Sequence, residues 1–345
     1  MADYTFKGYD NFVLQEKIDS IIATKMDMNR YMTADYSLAE APGMVKKFHI
    51  YKATESAQDL ARGEGNSEFV DASYVEREYR VARTQSQAKW YDDDQMTDPT
   101  LIDTKVQGVA ESMVNAWTRK AIAEFDKTEN MSVMSTDYTL SDFADAIAKY
   151  ANVFEDQAGL FFLCDQALVP TIRKTLGDYL KYTEAYIRTG AIGEILGVPI
   201  YTSKALPKGI MFLAHNDAVH AFLKKNTFVE QDRNIDKKEN FVVASRYSVI
   251  ALYDERKCIK CGKAQATAAS ITTATKATTT VAGAATTGAK VTVFVNGVQD
   301  GNAETAASSA YSHTVANALA AGDKIKVVAT KEGLLPSIAE FTVEA

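Results

Sequence analysis

The clearest periodic signal in the chain lies between Asp98 and Phe125. Ile102, Val106, Val109, Met113, Trp117, Ala121 and Phe125 recur at spacings of three and four, which places them on one face of a helix. Asp98-Pro99 offers an N-cap followed by proline at the first helical position. The pattern predicts a helix of about 27 residues, roughly 40 Å long at 1.5 Å per residue. Its apolar face suits a sheet, and its other face is wet. A coiled coil is disfavoured, because no sustained heptad with flanking charge pairs is present.

Upstream, the apolar pattern is thin. Phe12, Ile18, Ile21 and Ile22 form one short amphipathic stretch before Ala41-Pro42-Gly43. That is too little apolar surface for a domain, so residues 1–43 read as an arm that must lie on something else. In residues 44–91, Val45, Phe48, Ile50 and Tyr51 suggest one strand and Tyr74 to Tyr91 another. Gly63-Glu64-Gly65-Asn66 is the turn between them. The second strand is charged and poor in large apolar residues, and a two-stranded ribbon is marginal alone in water. The hairpin is therefore expected to lie across a neighbouring subunit. An edge hairpin of the protein's own sheet is the alternative, since exposed edges are commonly charged.

From about 137 the pattern alternates. Leu140 to Phe154 has helical spacing, with Ser141-Asp142 near its start. Gly159 to Cys164 reads as a buried strand, and Asp165 as the cap of a helix through Leu176. Residues 178–193 read as a loop. Ile195 to Tyr201 and Ile210 to Ala214 are apolar strands, and a helix is expected from Asn216 to Lys225. Phe228-Val229 and Phe241 to Tyr253 look like strands returning to the long helix.

At about 264 the composition turns to alanine and threonine. Beyond Gly288 only strand signals remain: Val291, Val293 and Val295 alternate before Asn296-Gly297, the preferred tight hairpin dipeptide. Ile325, Val327 and Ala329 alternate against Lys324 and Lys326, and Ala339, Phe341 and Val343 supply a last strand. Short alternating strands with regular turns predict a sandwich. Residues 264–287 are either its first strands or a linker.

Composition adds exclusions. Hydrophobic residues at 46% and charged residues at 24% are ordinary globular values. A formal net charge of −7 argues against a dedicated nucleic-acid binder, which needs a basic surface. It is compatible with a container for nucleic acid. No stretch reaches the roughly 18 to 20 apolar residues that span a bilayer, and the start lacks a signal-peptide pattern.

Candidate chemistry is sparse. Cys258-Ile259-Lys260-Cys261 has the spacing of half a zinc site, yet no second ligand pair accompanies it. A reduced, buried role is the simpler reading for these thiols and for Cys164. His215-Asn216-Asp217 sits at an expected strand-to-helix junction, where capping explains it. Asp92-Asp93-Asp94 lacks the spacing of a calcium loop and reads as a solvated loop. Gly63-x-Gly65 is only a turn. No catalytic, cofactor or metal residues are expected, and the chain does not read as an enzyme.

In order, these elements resemble the major capsid proteins of tailed bacteriophages, the Hong Kong 97 fold. The most telling run is Gly193 to Ser203, followed by Leu206-Pro207 and Phe212 to Ala218; Thr33 to Lys47 is also similar to phage shell proteins. The tail resembles bacterial immunoglobulin-like domains, through Gly288 to Gly297 and Ala318 to Val327.

The resemblance implies an α+β chain in five parts. These are an N-terminal arm (1–43), an extended loop hairpin (44–91), a peripheral domain with the long spine helix (92–136 and 226–263), an axial α/β domain (137–225), and an immunoglobulin-like β-sandwich (264–345). It implies a virion protein, assembled in the host cytoplasm, that builds hexamers and pentamers of an icosahedral shell around double-stranded DNA without sequence specificity. A portal and a separate scaffolding protein would be partners, with no membrane. The tail domain would face outward, dispensable for assembly, and could bind surface glycans. Intersubunit contact is expected at Arg62, Glu64, Glu68, Glu76, Arg77, Glu78, Arg80 and Arg83. Some relatives are stapled by lysine–asparagine bonds, but neither Lys52 nor an asparagine here matches that motif. An encapsulin-type compartment and, from another class, a surface adhesin are the rival readings.

Overall fold

The computed structural model describes residues 16–18, 20, 31–39, 42–53, 72–98, 100–154, 158–180 and 193–344. The chain forms two compact units, Met1–Lys127 with Asn216–Glu255, and Thr128–His215 with Arg256–Ala345.

The first unit opens with β1 (Thr33–Asp35), β2 (Val45–Ala53), β3 (Ala72–Arg80) and β4 (Ala82–Tyr91), then α1 (Asp92–Thr97) and α2 (Leu101–Phe125). The chain next builds part of the second unit with β5 (Met131–Val133), α3 (Leu140–Ala151), β6 (Leu160–Asp165), α4 (Val169–Leu180), β7 (Glu194–Ile195), β8 (Val198–Ser203) and β9 (Ile210–His215). It returns to the first unit with β10 (Val219–Asn234) and β11 (Glu239–Leu252). It ends in the second with β12 (Cys258–Gly262), β13 (Thr280–Ala284), β14 (Lys290–Val295), β15 (Val298–Thr305), β16 (Ala310–Thr314), β17 (Lys324–Thr330) and β18 (Ser337–Thr342).

In the first unit a four-stranded sheet runs β1-β10-β11-β4. The apolar face of α2 covers it: Ile102, Val106, Val109, Ala110 and Met113 pack with Trp90, Val229, Val242 and Ala244. Each large side chain buried there contributes roughly 1.5–3 kcal/mol of transfer free energy. All seven residues of the expected helical stripe are buried. The helix begins two residues later than its cap signal suggests. Thr100 occupies the N-cap, and the Asp98 carboxylate instead accepts from the Thr100 amide at 2.9 Å and its hydroxyl at 2.7 Å. From the N-terminal segment Ile18 joins this core, and Lys17 pairs with Asp103 at 2.8 Å. The arm thus lies, at this point, on its own long helix.

Three expectations fail in instructive ways. The helix expected over Asn216–Lys225 is a turn and then the first half of β10, a 16-residue strand paired with β11 on both sides of an irregularity near Lys225 and with β1 at its start. The single strand expected over Tyr74–Tyr91 is broken at buried Val81: β3 pairs with β2 alone among the described residues, whereas β4 is an edge of the four-stranded sheet. The edge-strand reading therefore holds for β4, while β2 and β3 form a separate ribbon. Third, Ile195 to Tyr201 is not one strand. Leu196 and Gly197, at φ 52 and 80, form a two-residue turn between β7 and β8.

The α/β part of the second unit is a six-stranded sheet, β5-β12-β9-β6-β8-β7. Its central strands β6 and β9 are buried at every position, as expected for strands covered on both faces. Phe143, Ala146 and Tyr150 of α3 and Ile172 of α4 fill one face. The start of α3 is fixed by Asp142, whose carboxylate accepts from the Thr139 amide at 2.7 Å and the Ser135 hydroxyl at 2.5 Å. Burial opposes its ionisation, but these hydrogen bonds hold the carboxyl below its ordinary value. Asp165 accepts from the Ala167 amide and opens a 3₁₀ turn that leads into α4.

The remaining strands form a two-layer sandwich, β13-β16 against β15-β14-β17-β18. Val281 and Tyr311 of one layer share a core with Val291, Val293, Ile325, Val327 and Ala329 of the other. Residues 264–287 belong to it: Ala269, Ala274 and Ala285 are in that core, and Thr273 bridges to Ala282 on β13. Asn296 and Gly297, at φ 52 and 82, make the tight β14–β15 turn. Only residues tolerant of positive φ at both central positions fit that turn.

Candidate intersubunit surface

β2 and β3 form a two-stranded ribbon with no third strand among the described residues. Its register pairs Val45 with Arg80, Lys47 with Glu78 and His49 with Glu76. The ribbon is closed at its root, where the Val81 amide donates to the Met44 carbonyl at 2.7 Å. Val81 itself is held in a small core with Leu38, Phe222, Val249 and Ala251.

The root is also fixed by charge. Arg77 pairs with Glu255 at 3.0 Å, with both side chains largely covered. Next to it, the Tyr79 hydroxyl donates to Glu124 at 3.2 Å and Lys127 lies 5.1 Å from the Tyr79 ring centre. Burial and the Glu124 carboxylate push the Tyr79 phenol up. Glu124 also accepts from the Leu252 amide and from Lys127, so one carboxylate at the end of α2 ties β3 to β11. Lys47 bonds Glu76 at 3.0 Å and Glu78 at 3.1 Å, and these two hydrogen bonds raise its ammonium above the ordinary value.

Of the residues expected to contact a neighbour, Glu76, Arg77 and Glu78 have partners within the chain. Arg80 and Arg83 are exposed on either side of Val81, with no ion-pair partner among the described residues. Arg62, Glu64 and Glu68 lie outside the described residues. Lys52 sits on β2 opposite Ser73.

The other candidates are occupied by structural work. Asp92 is not in a solvated loop: it is buried at the start of α1 and binds Arg233 at 2.6 Å and Asn240 at 2.7 Å. His215 is buried, its Nε2 2.6 Å from the Ala158 carbonyl. The expected helix cap at Asp217 is instead an acceptor for the Thr33 hydroxyl at 2.8 Å, which holds β1 to the start of β10. All three cysteines are buried. Burial pushes the Cys164 and Cys261 thiols up to about 12, which keeps them protonated and poor as ligands or nucleophiles. Sequence reasoning missed two anchors of the first unit: the Asp92–Arg233–Asn240 cluster, and Arg246 stacked 3.7 Å from the Trp117 ring centre. Only spatial pairing reveals either. No helix among the described residues is long and apolar enough to cross a membrane.

Comparison with known proteins adds to this geometry. No family model matches the chain. The major capsid protein of Staphylococcus phage phiMR11 is 24% identical over 265 residues, 73% of this chain and 92% of that protein. The capsid structure of the cyanophage P-SCSP1u matches with a TM-score of 0.53 at 13% identity, covering 76% of this chain and 92% of that one. The chain has a capsid-protein fold. A Mycobacterium phage Che8 structure agrees, with a TM-score of 0.52 at 13% identity over 64% of this chain and 85% of that one. This is the capsid-protein part of the fold expected from the sequence resemblance.

Proposed function

We propose that this chain is the major shell subunit of a tailed-phage head, a structural protein of the virion rather than an enzyme. The observation that carries the reading is the β2–β3 ribbon: two charged strands, closed and anchored at one end, on a body with a capsid-protein fold. A ribbon of that kind gains little by folding on itself. Laid across a second copy, it would bury its length and bring Arg80 and Arg83 to partners they lack among the described residues. Each exposed ion pair contributes only about 0–1 kcal/mol, but the contact repeats around a closed shell, where multivalency multiplies it.

Within this reading residues 1–43 are the arm, 44–91 the extended loop, 92–136 with 226–263 the peripheral domain, and 137–225 the axial domain. The sandwich from 264 onward is an immunoglobulin-like addition facing outward, with surface glycans as its candidate ligand. Hexamers and pentamers, a portal, a separate scaffolding protein and packaged double-stranded DNA complete the assembly. The net charge of −7 suits a wall that does not hold the DNA it encloses. Electron microscopy of the purified protein tests the proposal. Shells or ring-shaped capsomers are expected, and a uniform monomer at all concentrations would overturn it.

A further inference from the structure

A domain added at the end of a chain is usually pictured on a flexible tether, and the alanine- and threonine-rich composition after 264 encourages that picture. The geometry points to the opposite: we infer that the C-terminal sandwich is rigidly seated on the six-stranded sheet, through the loop between β17 and β18, and that the two form one body.

Two sets of contacts carry this. The first is the connecting segment, which has no slack. Directly after β12 the Lys263 carbonyl accepts from the Leu335 amide at 2.8 Å. Two residues on, the Gln265 side-chain amide donates to the Ala329 carbonyl at 2.7 Å and the Leu335 carbonyl at 3.0 Å. Thr267 exchanges hydrogen bonds with the Thr286 hydroxyl, and the Ala269 amide donates to Ser337. Alternate residues from 263 to 269 are thus each bonded to the sandwich, where a tether would leave them to solvent.

The second set seats the loop between β17 and β18 on the sheet. Leu335 is 3% exposed, and its side chain meets the site above Gly262 that a Cβ would fill, beside Ile210. At the start of β9 the backbone of Gly209, at φ +72, approaches Gly333 so closely that a Cβ on Gly209 would stand 2.9 Å from the Gly333 carbonyl oxygen. Only a residue with no side chain, free to adopt that φ, permits the approach. Lys208 pairs with Glu332 at 3.0 Å, and Lys326 pairs with Glu129. A domain held both by its connection and by a separate apolar and ionic seat has lost its hinge.

The consequence is functional. A seated sandwich presents the same face in the same orientation on every copy of the subunit, and force on it reaches β9 and β12 directly. The inference does not depend on the capsid reading, since it concerns one chain.

Hydrogen exchange of the full chain, read by mass spectrometry, tests it. In the wild type the Leu335 amide should exchange as slowly as those of β17, although it lies in a loop. Leu335→Ala and Gly209→Ala should each speed that amide at least about tenfold, with Val293 and Val327 unchanged. Gly209 lies outside the sandwich, so its variant separates undocking from unfolding should Leu335→Ala fail to fold. Fast wild-type exchange at Leu335, or unchanged exchange there in Gly209→Ala, would overturn the inference.

Discussion

The β2–β3 ribbon and the C-terminal sandwich are both built from short antiparallel strands, yet they are held by different forces. In the sandwich, Val291, Val293, Ile325 and Val327 alternate inward and meet a second layer, so burial does the work. The ribbon has no second layer among the described residues. It is held at its root by Val81, by the Arg77–Glu255 pair and by Tyr79 on Glu124. The sandwich has a two-layer core of its own. The ribbon leans on its anchor instead. Identical secondary structure is therefore held by a shared core in one place and by an anchored root in the other.

The largest expected effect breaks the first half of that comparison. Val327→Asp places a carboxylate in a fully buried site without a partner, at a cost of about 4 kcal/mol or more. Hydrogen exchange should become fast in β14 and β17, while exchange in β2 and β3 stays as in the wild type. A smaller effect sharpens the second half. Arg77→Ala removes a largely covered ion pair with Glu255 and should cost about 1 kcal/mol. Exchange should quicken over residues 72–80 and remain unchanged in β14 and β17. An equal change in both regions would dissolve the distinction.

The smallest effect depends on pH. Asp323 accepts from the Asn296 side-chain amide at 2.9 Å and the Ala320 amide at 2.7 Å, which lower its carboxyl below the ordinary 3.8. A depressed carboxyl stabilises fully above its unfolded value, and that contribution is lost as pH falls through the folded one. Amide resonances of Asn296 and Gly297 should therefore shift below about pH 4 and stay flat from there to neutrality. In Asp323→Ala the acid shift should vanish.

Legibility followed the range of the deciding contacts. The long helix could be read from its stripe, because a 3.6-residue period is local and every predicted position is buried. The Asn296-Gly297 turn was equally visible, since its backbone demands are met by two adjacent residues. The start of β10 was misread because Asn216-Asp217 mimics a cap and Ala218, Phe222 and Lys225 fit helical spacing. What makes it a strand is β11, which lies far along the chain: Val219 pairs with Leu252 and Phe222 with Val249. The break at Val81 was hidden for the same reason, as β3 and β4 differ only in which strand each one meets. At the candidate site, charge was legible but pairing was not. Nothing in the sequence says that Arg77 finds Glu255 while Arg80, three residues on, remains exposed.

The burial of Cys164, Cys258 and Cys261 has a practical meaning. With every native thiol enclosed, the folded surface is silent to thiol-selective reagents. Val298, 71% exposed beside the β14–β15 turn, is where a single introduced cysteine would stand alone. A label or cargo attached there would sit at one defined address per subunit, and a closed shell would carry it as a regular array.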